Sequence, residues 1–190
     1  MAIKVSSGKA KGRKCQNWTA EQISNLIDLP WGKDEQIAPR EMGQSGTDVR
    51  LIGDAKDLFP WAVECKWCEA WNLPAWIRQA KSHLLKEEGL DWLLIFRGSR
   101  KPFLACLDAD VFLDLVAADL RVDSWSFLVE SGKKWRVWEV LLEAIVDADR
   151  HQDCSCAFFR REGEDTVVVL TADAFFHLLE AIPKKRKGRP

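Results

Sequence analysis

One stretch of this chain occurs twice, and that limits what it can fold into more than any other feature. Phe96-Arg97 and Phe103-Leu104-Ala105-Cys106-Leu107-Asp108-Ala109-Asp110-Val111-Phe112-Leu113-Asp114-Leu115 align without a gap onto Phe159-Arg160 and Thr166-Val167-Val168-Val169-Leu170-Thr171-Ala172-Asp173-Ala174-Phe175-Phe176-His177-Leu178. The first copy reads as a buried strand, a turn, a returning strand and a helix, because two short apolar runs flank a Gly-containing polar break and apolar residues at helical spacing follow. The match extends upstream, with Trp61-Ala62-Val63 over Trp125-Ser126-Phe127 and Trp71 over Trp135. Similarity over this length favours a partial internal duplication.

The copies differ in their chemistry. In Trp61-Ala62-Val63-Glu64-Cys65-Lys66 the side chains of a strand alternate, so Glu64 and Lys66 emerge on one side, about 7 Å apart, and Cys65 points the other way. If Asp48-Val49-Arg50-Leu51-Ile52 is the neighbouring hairpin strand, Asp48 reaches the same face. Two carboxylates held together repel unless a cation lies between them, which makes a Mg²⁺ site that a backbone carbonyl and waters would complete. Glu-x-Lys by itself is more often a solvated strand face. Its context here is an apolar run, Ser45-Gly46 before the acid where the backbone must approach something closely, and an amphipathic helix carrying Gln79. The second copy has Leu128, Glu130 and Glu143 where the first has Glu64, Lys66 and Gln79, so it reads as a structural or binding half that has lost the site.

The rest of the chain reads in order as follows. Apolar positions over residues 17–27 predict a helix ended by Leu29-Pro30, and 31–46 read as a loop with Pro39 and three glycines. Strands are predicted at 47–52 and 61–66 with a turn at Gly53-Asp54, and a helix over 73–85 with Pro74 in its first turn. A buried strand at 92–97, a returning strand at 102–107 and a helix at 110–116 complete the first copy.

The formal charge of −1 hides an asymmetry. Residues 1–14 carry Lys4, Lys9, Lys11, Arg13 and Lys14 without an acid, and 184–190 carry five more basic side chains. Basic arms on an acidic body suit nucleic-acid phosphates, although solvated tails have the same composition. No apolar run reaches the roughly 20 residues of a membrane span and no secretory signal is evident, so the expected location is the cytoplasm of a bacterial or phage-infected host cell, with no membrane partner. Cys65-x-x-Cys68 and His151-x-x-Cys154-x-Cys156 contain the residue types of a zinc site, but free thiols in a reducing compartment are the simpler account of six cysteines. Among ten tryptophans, Trp67 and Trp71 stand just past Lys66, where they could stack on bases.

Lys11-Gly12-Arg13, Arg40-Glu41-Met42-Gly43-Gln44-Ser45-Gly46-Thr47-Asp48, Leu58-Phe59-Pro60-Trp61-Ala62-Val63-Glu64-Cys65-Lys66 and Gln79-Ala80 together resemble the PD-(D/E)XK nuclease superfamily. The likeness is closer to phage-encoded nucleases similar to archaeal-type Holliday junction resolvases, and it covers roughly residues 11–116. It implies an α/β, restriction-endonuclease-like mixed central sheet flanked by helices, followed by a partial repeat of the core without the active site. The corresponding division is a basic arm at 1–14, a nuclease core at 15–120, a degenerate repeat at 121–182 and a basic tail at 183–190. The implied activity is Mg²⁺-dependent DNA cleavage, with Mn²⁺ as a substitute, by a homodimer acting on branched DNA. A restriction, repair or homing-type duplex endonuclease of the same fold, or an inactive DNA-binding protein, are the alternatives.

The implied roles follow the motifs. Asp48, Glu64 and the carbonyl of Cys65 would hold the metal, Lys66 would orient the attacking water and stabilise charge, and Gln79 would hydrogen-bond the lysine or the water. Lys11, Arg13, Lys14, Arg40 and Ser45 would contact DNA. In one respect the chain departs from the resemblance: the glutamate that such resolvases usually carry in their first helix is Gln16 here.

Overall fold

The computed structural model describes residues 5–41, 43–84, 89–118, 125–131, 136–151, 154–160 and 163–182. The expected basic tail at 183–190, together with Lys4, Met42 and Trp135, lies outside them. The protein is an α/β fold built on one mixed sheet of eight strands.

Helix α1 (Val5–Ile27) opens the chain. Its buried residues Cys15, Thr19, Ala20, Ile23, Leu26 and Ile27 recur at the three-to-four-residue spacing of one helical face. The helix stops at Asp28, whose φ of 55° is left-handed, while the Leu29 amide returns to the Ser24 carbonyl and Pro30 prevents continuation. β1 (Ile37–Pro39), β2 (Val49–Leu51), the short helix α2 (Asp54–Leu58) and β3 (Trp61–Trp67) follow, with β2 antiparallel to both β1 and β3. Helix α3 (Leu73–Leu84) then crosses to β4 (Asp91–Arg97), parallel to β3, and β5 (Leu104–Asp108) returns antiparallel before α4 (Ala109–Ala118). The later residues form β6 (Trp125–Ser131), α5 (Val137–His151), a parallel β7 (Cys154–Arg160), an antiparallel β8 (Val167–Thr171) and α6 (Ala172–Ala181).

In the sheet the strands run β1-β2-β3-β4-β5-β8-β7-β6. Alternation along the strands separates two apolar layers. On one face Val63, Cys65, Ile95, Leu107 and Val168 pack with residues of α1, α4 and α6. On the other Trp92, Leu94, Phe96, Leu104 and Val169 pack with α3 and α5. Both layers run across β4, β5, β7 and β8, so the chain has a continuous interior on each side of the sheet.

Several expectations at the level of elements need correction. The basic arm of residues 1–14 is helical from Val5, despite Gly8 and Gly12, and forms the first turns of α1. The predicted loop at 31–46 contains β1, where Pro39 is tolerated because β1 ends the sheet and pairs only with β2 among the described strands. The turn at 53–54 opens a short helix, with Gly53 at a φ of 56°.

Candidate active site

β2 is short, and its shortness makes the site. Its pairing with β3 reaches Val49 opposite Val63, and the Asp48 amide donates to the Val63 carbonyl at 2.8 Å. Beyond that point no strand among the described residues pairs with this edge of β3. The Cys65 amide on this open edge donates instead to Asp48 Oδ2 at 2.8 Å. In a strand the amide and carbonyl of one residue face the same edge, so the Cys65 carbonyl faces the Asp48 side as well.

The loop before Asp48 is held by its own residues. Gly46 has a φ of 112°, a backbone conformation that favours glycine, and the Arg40 guanidinium carbon, at the end of its side chain, lies 2.9 Å from where a Cβ would stand. Arg40 Nε donates to the Thr47 carbonyl at 2.6 Å, the Arg40 amide to the Asp48 carbonyl at 2.8 Å, and Thr47 Oγ1 to the Val49 carbonyl at 3.0 Å. Arg40, expected at the phosphate, therefore also fixes the backbone that presents Asp48.

Glu64 occupies the next position of β3, on the face covered by α3, and only 1 % of it is exposed. Lys66 Nζ lies 2.5 Å from its Oε1 and His83 Nε2, from α3, lies 2.9 Å from its Oε2. Burial pushes the Glu64 carboxyl above the ordinary glutamate range; the negative charge of Asp48 adds to this, and the bonds from Lys66 and His83 oppose it. The folded state therefore holds this proton more tightly than the unfolded chain. That contribution to stability is present below the unfolded pKa and is lost as pH rises through the folded one. Glu64→Gln should accordingly melt higher than the parent at neutral pH in metal-free buffer, by about 2–4 °C for each kcal/mol relieved, and the gap should close toward pH 4. Thermal melts across that pH range check it; a lower melting point for the glutamine variant at pH 7 would contradict the direction.

Gln16 stands where the resemblance leads one to expect glutamate. Its Nε2 donates to Asp48 Oδ1 at 2.7 Å, and its buried Oε1 has no hydrogen-bond partner. An orphaned buried carbonyl beside the Asp48 carboxylate is costly unless a donor or cation meets it. Asp48, Glu64, the Cys65 carbonyl and Gln16 Oε1 are all oxygen donors, the kind a hard divalent ion such as Mg²⁺ or Mn²⁺ takes. No group of three His, Cys, Asp or Glu side chains close enough to hold a metal occurs among the described residues, so such an ion would need the two neutral oxygens.

The remaining predicted residues are dispersed. Gln79 lies on α3 but is exposed, and its side-chain amide bonds none of the described residues; one turn further along, His83 bonds Glu64 instead. The spacing of four residues on an amphipathic helix was the signal for His83. Lys11 pairs with Glu69 at 2.8 Å, and Ser99 bonds the same carboxylate through its amide and hydroxyl. Lys11 and then Ser99 hold that carboxyl down to about 2. Lys14 and Ser45 are exposed, while Arg13 lines a cleft of about 570 Å³ with Arg40, Arg50, Lys33 and the partly exposed Trp31. Trp67 has the Arg97 guanidinium 4.4 Å from its ring and Trp71 stands edge-on to Phe96, so both serve packing in this arrangement. Cys65 and Cys68 are free thiols, one buried against α1 and one exposed; burial raises the Cys65 thiol well above its ordinary value.

No family model, curated protein or solved structure matches the chain, and the functional reading rests on these residues alone.

Proposed function

We propose that this protein is a metal-dependent deoxyribonuclease of the PD-(D/E)XK type, with a restriction-endonuclease-like core and a degenerate second copy of it. The observation that carries the reading is the convergence on the open edge of β3: a buried glutamate, a second carboxylate, a lysine and an orphaned amide oxygen. A surface Glu-Lys pair has no need to bury its acid, and burying one beside another acid costs stability that a structural role does not recover.

Asp48, Glu64, the Cys65 carbonyl and Gln16 would hold Mg²⁺, which when bound supplies an activated water and neutralises charge on the scissile phosphate. Hydrolysis joins the water oxygen to phosphorus and breaks one P–O ester bond, and the departing oxygen takes up a proton. Lys66 is placed to move from Glu64 onto the phosphate oxygens as their negative charge grows. His83 fixes the other oxygen of Glu64, and so the orientation of the carboxylate. Arg13, Lys33, Arg40 and Arg50 outnumber Asp34 and Glu41 in the lining of the cleft and would give the DNA backbone a net basic approach toward the Asp48 loop.

Branched DNA, as for a junction resolvase, is the substrate favoured by the motif resemblance. Matched four-way junction, flap, nicked and linear DNAs incubated with Mg²⁺ test both levels of the proposal. Preferential cutting of the junction supports a resolvase, equal cutting of all four rejects it in favour of a general endonuclease, and no metal-dependent cutting of any rejects nuclease activity.

A further inference from the structure

β5 and β8, flanked by β3-β4 on one side and β7-β6 on the other, meet in a self-reciprocal register. Asp91, Leu104 and Ala109 begin β4, β5 and α4, and Cys154, Val167 and Ala172, each 63 positions later, begin β7, β8 and α6. Across the β5–β8 seam Leu104 faces Thr171, Cys106 faces Val169 and Asp108 faces Val167. Thr171 is the counterpart of Asp108, Val167 of Leu104 and Val169 of Cys106, so exchanging the halves maps the pairing onto itself about the Cys106–Val169 pair. The flanking hydrogen bonds obey the same exchange: the Ala109 amide donates to the Thr166 carbonyl at 3.1 Å, and the Ala172 amide to the Phe103 carbonyl at 2.9 Å. Helix α4 touches β8 and α6 touches β5. Two unrelated hairpins could pair in many registers, whereas an isologous interface between identical units must have this reciprocity.

The reciprocity fails at the chemistry. Gln16 and Asp48 come from α1 and the start of β2, which precede the first unit and have no counterpart before β6. β6 begins 64 positions after β3, which sets Leu128, Glu130 and Asp147 at the places of Glu64, Lys66 and His83. Glu130 is tied to the Arg136 amide at 2.8 Å and to its Nε at 3.0 Å. Two identical chains joined by this seam would carry two centres, and here a body of the same symmetry carries one.

We infer that the chain is a two-fold dimer fused into one polypeptide, working as a monomer that incises a single strand in each encounter with DNA. The inference rests on the nuclease reading for its strand count and on the seam for its assembly. It replaces the homodimer implied by resemblance to resolvases with a partner already inside the chain. The second half offers DNA a symmetry-related surface without a cutting centre, so severing both strands takes a second encounter.

The test combines sedimentation of the full chain at assay concentration with cleavage of the four DNAs above, each strand carrying its own label and DNA in excess over protein. The expected results are a mass of one chain, 21.7 kDa, and early products cut in one strand only, with doubly cut DNA forming after a lag. A mass of two chains, or both strands severed together without a lag, overturns the fused-dimer inference and leaves the nuclease reading standing. A monomer that cuts none of the DNAs with Mg²⁺ overturns the nuclease reading and the single-strand prediction with it.

Discussion

Replacing Asp48 or Glu64 by alanine should reduce Mg²⁺-dependent DNA cleavage by at least about a thousandfold, the scale expected when a principal source of transition-state charge stabilisation is removed. DNA binding should survive, because the basic cleft and α1 remain. The two variants should differ in stability. Glu64→Ala removes a buried charge raised in pKa but strands Lys66 and His83, whereas Asp48→Ala leaves the Cys65 amide and the Gln16 amide without their acceptor. Glu130→Ala, at the position matching Lys66 in the second half, serves as the internal control and should cut like the parent. Single-turnover cleavage beside a gel-shift measurement checks all three. Undiminished cutting by either acid variant would remove the proposed site, and a folded but inactive Glu130 variant would mean that the second half takes part in the chemistry.

Phe159→Ala should have the largest effect on stability of any change far from the site, costing about 3–5 kcal/mol as a large side chain deleted from a packed interior. Phe159 is fully buried on β7, in the same apolar layer as Trp92, Leu94 and Phe96 of β4 and Ile77 of α3. A cavity there opens beneath α5, the helix that covers β7. The two halves share each layer, so the variant should lose far-ultraviolet circular dichroism and tryptophan fluorescence in one coincident transition. Two separated transitions would show that the halves unfold independently.

Much of this architecture could be read from the residues because local and long-range signals agreed. The helix at 73–84 has an amphipathic period, and the strand at 91–97 is a continuous apolar run followed by a turn. The displacement of the second copy was visible as a gapless alignment, and the strands and helices it spans begin at the same spacing. The missed elements depend on contacts that local sequence does not encode. Residues 5–14, rich in lysine and glycine, have poor helical character alone; the Lys11–Glu69 pair and the seating of Cys15 against the carbonyls of Lys66 and Ile95 supply the difference. β1 is only three residues and exists because Arg50 and Leu51 offer it an edge. At the site both acids and the lysine were legible from alternation, while the contact of His83, one turn beyond Gln79, depended on how α3 is rotated over β3, which periodicity alone leaves open.

The packing of α1 has a consequence for how the protein is made. Trp18 stacks on Phe103 with ring centres 3.9 Å apart and meets Phe176 edge-on at 6.1 Å, and Phe175 closes against Trp61. The first helix, which carries Gln16, is thus seated partly on the last described one. The apolar layer beneath α1 is therefore completed only once residues 172–181 have left the ribosome, long after α1 itself has been synthesised. A truncated product ending before α6 would leave the rings of Trp18 and Trp61 without the phenylalanines that cover them.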